Sequence, residues 1–212
     1  MKLYSTVTGP GEAEQVIEKS RFITHVMPVE SKEEADEFIA SVKKEYKDAT
    51  HNVPAMVIGE KMQIQWGSDD GEPQGTSGAP IVQMLVKEGI TNVAVVVTRY
   101  FGGIKLGTGG LVRAYTSSAR LGIDASGISD VKEMSVLKYK VDYSTFNRIQ
   151  NFTFEQEVRL LNEVYGSDVE FELVTDPSFA ENVKETVTGL SNGQAVLVEM
   201  ELRKEKGKRE EE

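Results

Sequence analysis

One stretch limits what this chain can fold into more than any other. Asn92–Thr98 is an almost unbroken β-branched run, and five glycines fall among the nine residues from Gly102 to Gly110 just after it. A run without polar alternation is the pattern of a central strand covered on both faces. The glycines then set a turn, and a helix is expected from about Gly110 to Leu121. Strand, glycine-rich turn and helix in succession require a sheet with helices packed on it, which excludes an all-helical bundle.

The flanking sequence extends this pattern. Glu12–Val29 reads as a long strand or a hairpin broken at Lys19-Ser20. Ser31 is a good N-cap with Glu34 three residues on, and Ala35, Phe38, Ile39, Val42 and Tyr46 place one apolar stripe on a helix over Lys32–Tyr46. Val53–Gly59 and Lys61–Trp66 suit a second hairpin. Gly67–Gly78 is a polar loop, and Pro80 fits the first turn of a helix that stops at Gly89. From Val131 the pattern restarts as strand (Met134–Tyr143), helix (Ser144–Glu157), strand (Val158–Tyr165), two-residue turn (Gly166-Ser167), strand (Val169–Thr175), helix (Pro177–Leu190) and strand (Gln194–Leu202). The order βαββαβ describes a ferredoxin-like domain. The expectation is an α+β protein, an α/β sandwich, with one domain over residues 1–129, a ferredoxin-like domain over 130–203 and a charged flexible tail over 204–212.

Composition narrows the function classes. Hydrophobic residues make up 39% of the 212, enough for packed cores, and no apolar run approaches the length of a membrane span. With no cysteine there is no disulfide framework and no thiolate site. Met1–Glu14 lacks the layout of a secretory signal, and the expected compartment is the cytoplasm. The formal net charge of −10 argues against a general nucleic-acid coater, so DNA is not an expected partner. The charge is uneven, however: Ile90–Gly122 holds Arg99, Lys105, Arg113 and Arg120 and no acid.

Chemistry-bearing residues therefore cluster in two places. In the glycine-rich segment, Gly102, Gly103, Gly107, Thr108, Gly109 and Gly110 offer backbone N–H groups to an anion, Arg99, Lys105 and Arg113 supply charge, and Tyr100 and Phe101 offer a stacking face. The spacing is neither that of a Walker loop nor of a dinucleotide fingerprint, so no cofactor is indicated. The second cluster, Asp69, Asp70 and Glu72, is an acidic loop that reads either as a solvated turn or as a magnesium or acid–base site; no metal site is assigned. Arg21 and His51 are auxiliary candidates, and no catalytic constellation is present. Trp66 reads as a core or loop anchor.

Several of these segments carry a resemblance. Asp69-Asp70-Gly71-Glu72-Pro73 with Gly75-Thr76 and Gly78, the strand Val93–Thr98, and Arg99-Tyr100-Phe101-Gly102-Gly103 through Gly107-Thr108-Gly109-Gly110 to Tyr115 together resemble the signature of the IMPACT family. Lys19-Ser20-Arg21-Phe22-Ile23 and Ala49-Thr50-His51-Asn52 resemble its two upstream motifs. Where the family often has Cys or a bulky aromatic after the second of these, this chain reads Val53-Pro54-Ala55. The resemblance implies an N-terminal domain like domain four of elongation factor G, a ribosomal-protein-like fold, and a C-terminal ferredoxin-like domain like that factor's domain five. It further implies regulation of translation, or contact with RNA or the ribosome. The expected function is thus a non-catalytic regulator that contacts RNA or the ribosome through the basic glycine-rich segment. The alternatives are an enzyme that binds a phosphorylated molecule on Gly102–Gly110, and a module that takes a protein partner on the acidic loop and Trp66.

Overall fold

The computed structural model describes residues 2–209. Along the chain run β1 (Lys2–Val7), β2 (Gly11–Ile17), β3 (Ser20–Pro28), α1 (Lys32–Glu45), β4 (His51–Ile58), β5 (Ile64–Gly67), α2 (Gly78–Lys87), β6 (Val93–Tyr100) and α3 (Gly107–Ser126). They are followed by β7 (Ile128–Val141), α4 (Tyr143–Gln150), β8 (Val158–Tyr165), β9 (Val169–Thr175), a 3₁₀ turn (Pro177–Phe179), α5 (Ala180–Leu190) and β10 (Val196–Lys208). Two compact units result, residues 2–131 with 206–209, and residues 132–205. The protein is α+β, with two antiparallel sheets.

The first unit is built on the sheet β2-β3-β6-β4-β5. Because side chains alternate along a strand, β6 supplies both faces. Val93, Val95 and Val97 join Val53, Ala55 and Val57 against Ile81 and Leu85 of α2 and Leu111, Tyr115, Ala119 and Ile123 of α3. Ala94 and Val96 pack on the other side with Met56, Ile58 and the α1 residues Ala35, Ile39 and Val42. The apolar run of β6 is needed because no residue of it between Val93 and Val97 reaches water.

Local signals explain the ends of the elements. The Ser31 side chain accepts from the Glu34 N–H at 3.2 Å and caps α1. The Glu34 carboxylate reaches back one residue further than a capping box requires, to the Glu30 N–H at 2.8 Å. β2 and β3 meet in a tight turn whose central residues, Glu18 and Lys19, have φ of 47° and 63°. α3 starts at Gly107 rather than near Gly110, so the glycines expected to lie in a loop form its first turn.

In the second unit the sheet order β10-β7-β9-β8 and the succession βαββαβ give the ferredoxin-like arrangement. Leu137, Tyr139, Phe171 and Leu173 are buried beneath Phe146 and Ile149 of α4 and Val183 and Val187 of α5. α4 ends at Gln150, well short of Glu157, and the β8–β9 turn uses three residues, Gly166–Asp168.

Two sequence expectations need correction. β1 was not foreseen in the polar N-terminal stretch; there Ser5 donates from its hydroxyl to Asp130 at 2.7 Å. The run expected as a charged flexible tail from 204 continues β10 as far as Lys208. Its charges are not idle: Arg203 pairs with Glu172 at 2.8 Å and Glu205 at 2.7 Å, and the Lys206 ammonium donates to the Val7 carbonyl at 3.0 Å. Alternating opposite charges that find partners are compatible with a strand. The remainder of that expected tail, 210–212, lies outside the described residues.

Candidate functional site

The two clusters singled out in the sequence meet in the first unit. They do not meet as two surface loops. The acidic loop is turned inward, and each of its carboxylates is occupied.

Asp69 accepts four hydrogen bonds: Gly75 N–H at 2.7 Å, Ser77 N–H at 3.1 Å, Ser77 hydroxyl at 2.8 Å and Gly78 N–H at 3.0 Å. It thereby caps α2, whose own N-cap Ser77 makes no side-chain cap bond. Burial works to raise the Asp69 pKa, but the hydrogen bonds from Gly75, Ser77 and Gly78 outweigh it and hold the carboxyl below its ordinary value. Asp70 takes the Lys43 ammonium at 2.6 Å and the Asn52 N–H at 2.7 Å.

Glu72 goes deepest. Its Oε1 accepts from Arg99 at 2.6 Å and from the Tyr115 hydroxyl at 2.6 Å, and His51 Nε2 stands 3.7 Å away. The side chains of Glu72 and Arg99 are 4% and 5% exposed, so this is a buried ion pair. Arg99 also donates to the Ser20 hydroxyl at 3.2 Å, and its guanidinium lies 5.5 Å from the Phe22 ring centroid and 5.4 Å from that of Phe101. Burial pushes the Tyr115 phenol pKa far up, with the bond to Glu72 adding to the rise. The other ring nitrogen of His51, Nδ1, is 2.8 Å from the Asp70 carbonyl.

Every signature segment thus contributes to one centre: Ser20, His51, Glu72, Arg99 and Tyr115. This corrects the place of Arg99, which was expected on a phosphate-binding surface. Its charge is neutralised by Glu72 out of reach of solvent. The acidic loop is neither a solvated turn nor an open set of carboxylates.

What stays on the surface is the rim of the glycine-rich segment. Phe101 is 47% exposed, and Lys105, Gly107, Thr108, Gly109 and Arg113 are exposed as well. Tyr100 is half-buried, its hydroxyl donating to Asp48 at 3.0 Å. Gly102 is fixed by a close approach: a Cβ there would stand 2.0 Å from the Lys19 carbonyl carbon. Its N–H donates to Ser20 at 3.2 Å. Gly103 and Gly107 have φ of 85° and 70°, the left-handed region open to glycine. The N-cap of α3, Leu106, offers no side-chain acceptor, and the first turn holds no acid. The leading N–H groups of Gly107–Gly110 therefore lack intrahelical partners. Arg21 is paired with Glu14 at 2.8 Å and Arg120 with Glu88, while Lys105 and Arg113 make no ion pair among the described residues. Between the β2–β3 turn and the start of α3 lies a cavity of about 480 Å³, lined among others by Ile17, Glu18, Ile104, Lys105, Leu106 and Arg113.

Trp66, expected as an anchor, is 45% exposed on β5. Ser20, Tyr115, Lys43 and Asn52 were missed as partners of the candidate residues. Nothing in their spacing announces the contacts, although Ser20, Asn52 and Tyr115 lie inside the quoted motifs.

Comparison with known proteins identifies the family. Residues 18–123 match the model of the Impact N-terminal domain, and residues 140–194 match a domain of unknown function, DUF1949. The chain is 44% identical over 199 residues to the IMPACT family member YvyE of Bacillus subtilis, covering 94% of this chain and 92% of that one. It is 32% identical over 172 residues to YigZ of Escherichia coli, covering 80% and 84%. Protein IMPACT of Mus musculus is 34% identical over 94 residues, 42% of this chain and 29% of that one. A crystal structure of a hypothetical protein aligns over the full length of both chains with a TM-score of 0.59 at 28% identity. With its N-terminal half matching the family model and its full-length relatives bearing the family name, the chain belongs to the IMPACT family.

Proposed function

We propose that this IMPACT family member acts in the regulation of translation, without catalysis, by contacting the phosphate backbone of RNA, free or in the ribosome, through the rim at the start of α3. One observation carries the reading. The cations Lys105 and Arg113, without ion pairs among the described residues, flank a helix start that has no side-chain cap and lies in a stretch of sequence, Ile90 to Gly122, that holds no acid. Helix N-termini and adjacent cations favour phosphate oxygens. The interface is smaller than the sequence suggests, since Arg99 is buried and Arg120 is bound to Glu88. The link to translation comes from the family resemblance.

The test is co-sedimentation with ribosomes, together with binding of labelled single-stranded RNA across a salt series. Each phosphate contact on a single strand contributes a slope of about −0.7 in log K against log salt, so two contacts contribute about −1.4. The Lys105→Glu/Arg113→Glu variant is expected to lose binding and that part of the slope. Unchanged binding by the variant, or binding indifferent to salt, refutes the reading.

A further inference from the structure

The cavity beside α3 has a chemistry that phosphate contact alone does not use. Its walls are apolar at Ile17, Ile104 and Leu106, and Ile104 is 36% exposed. Three charges line it, Glu18, Lys105 and Arg113, and none has an ion-pair or hydrogen-bond partner among the described residues. Neighbouring Arg21 and Arg120 are both paired. Glu18 is presented there by an unusual backbone. It and Lys19 occupy the two central positions of the β2–β3 turn at φ of 47° and 63°, where Asn and Gly are the usual residues. A two-residue hairpin turn requires positive φ at both central positions, and this turn places Glu18 in the lining of the cavity. The Arg113 guanidinium folds over the helix start: one of its nitrogens lies 3.7 Å from where a Cβ on Gly109 would stand.

An open cavity of about 480 Å³, with both apolar and charged walls, is large enough for a planar heterocycle. A carboxylate accepts hydrogen bonds and donates none. Among the four RNA bases, guanine alone offers two adjacent donors, the N1–H and the N2 amino group, on its Watson–Crick edge. Bases can be read on that edge only when unpaired and splayed out of the stack. We propose that the cavity seats one unstacked guanine of a single-stranded RNA, with Glu18 accepting from N1–H and the N2 amino group and Lys105 and Arg113 holding the flanking phosphates. This rests on the phosphate-contact reading and adds base selection to it. The negative charge of Glu18 repels phosphate and the acceptor N1 of adenine, which makes the pocket selective rather than merely adhesive.

The experiment is fluorescence anisotropy with labelled oligouridines that carry one central guanosine, inosine or adenosine. A good bidentate contact gives a preference on the order of tenfold for guanosine over adenosine, and inosine, lacking the N2 amino group, falls between them. Glu18→Gln is expected to abolish the preference while retaining or improving affinity for the adenosine strand. Equal binding of the three strands by the wild-type protein, or a preference that survives in Glu18→Gln, overturns the proposal. So does displacement of the guanosine strand by 5′-GMP as effectively as by the unlabelled strand, because the site would then belong to a free nucleotide. Salt-dependent binding that Lys105→Glu/Arg113→Glu abolishes, without any base preference, leaves the phosphate reading standing and refutes the guanine pocket alone.

Discussion

Glu72→Ala tests the account of the buried centre most directly. The substitution removes the acceptor of two 2.6 Å hydrogen bonds and leaves the Arg99 guanidinium, 5% exposed, without its counter-charge. Breaking a buried ion pair by deleting one partner costs about 3–5 kcal/mol, most of it from the uncompensated charge. At about 3 °C per kcal/mol for a chain of this size, the melting temperature should fall by about 10–15 °C. Two further variants separate the causes. Tyr115→Phe removes one hydrogen bond to a charged group but leaves the ion pair, and should cost about 1.5–3 kcal/mol. Glu72→Ala/Arg99→Met removes both charges and should recover most of the loss, since apolar replacement of a buried pair is often close to neutral. Urea unfolding followed by fluorescence is suitable because Trp66 is the chain's one tryptophan and lies on β5, paired with β4 of the same unit. A cost below about 1 kcal/mol for Glu72→Ala, or a double variant no more stable than the single one, would refute the claim that Arg99 depends on Glu72.

Three other outcomes follow from the geometry. His25 is largely buried and its pKa is lowered by that burial, which outweighs the attraction of Glu12 3.4 Å away. The folded state therefore binds fewer protons than the unfolded one: the stability this supplies is complete above the unfolded value near 6.5 and is lost as pH falls below it, so His25→Phe should flatten the stability profile below about pH 6.5. Asp69 likewise has a lowered pKa, and the order it gives to Gly75–Gly78 should be lost only as pH falls below about 4; hydrogen exchange of those amides should be slow at neutral pH and fast in Asp69→Asn. Gly102→Ala places a methyl 2.0 Å from the Lys19 carbonyl carbon, which cannot yield without moving the β2–β3 turn, and calorimetry should show a loss of at least about 1–3 kcal/mol.

The sheet and the helices were legible where local pattern decides them. Val93–Val97 announced a doubly covered strand, Ser31 its helix, and Lys19-Ser20 the break between β2 and β3. What escaped depends on distant partners. Arg99 ends an apolar strand and reads as a surface cation; only Glu72, 27 residues upstream, makes its burial possible. Gly107–Gly110 read as a loop because glycine is a poor helix former, yet the packing of Leu111, Ala114 and Tyr115 against β6 starts the helix there. β10 was cut short because its charges looked like a solvated end, and their partners lie on β8, β9 and at the end of β1.

On the proposed reading an acidic protein must overcome its own charge to bind RNA, and the buried centre bears on how much of that charge reaches the rim. The three carboxylates of the acidic loop, Asp69, Asp70 and Glu72, are consumed by α2, Lys43 and Arg99, so they project little field toward the rim. Glu14 and Glu88 are likewise held by Arg21 and Arg120, their pKa values lowered chiefly by those hydrogen bonds. The rest of the net charge of −10 acts over distances that physiological salt screens within about 8 Å. At the rim the local balance is then set by Lys105, Arg113 and the helix start against Glu18 alone. With so few contacts, affinity for bare RNA should be modest and association slow relative to basic RNA-binding proteins. Under the proposed guanine contact, Glu18 is a source of selectivity rather than a flaw in a phosphate site: against so few cations, one carboxylate is enough to decide which strand stays bound.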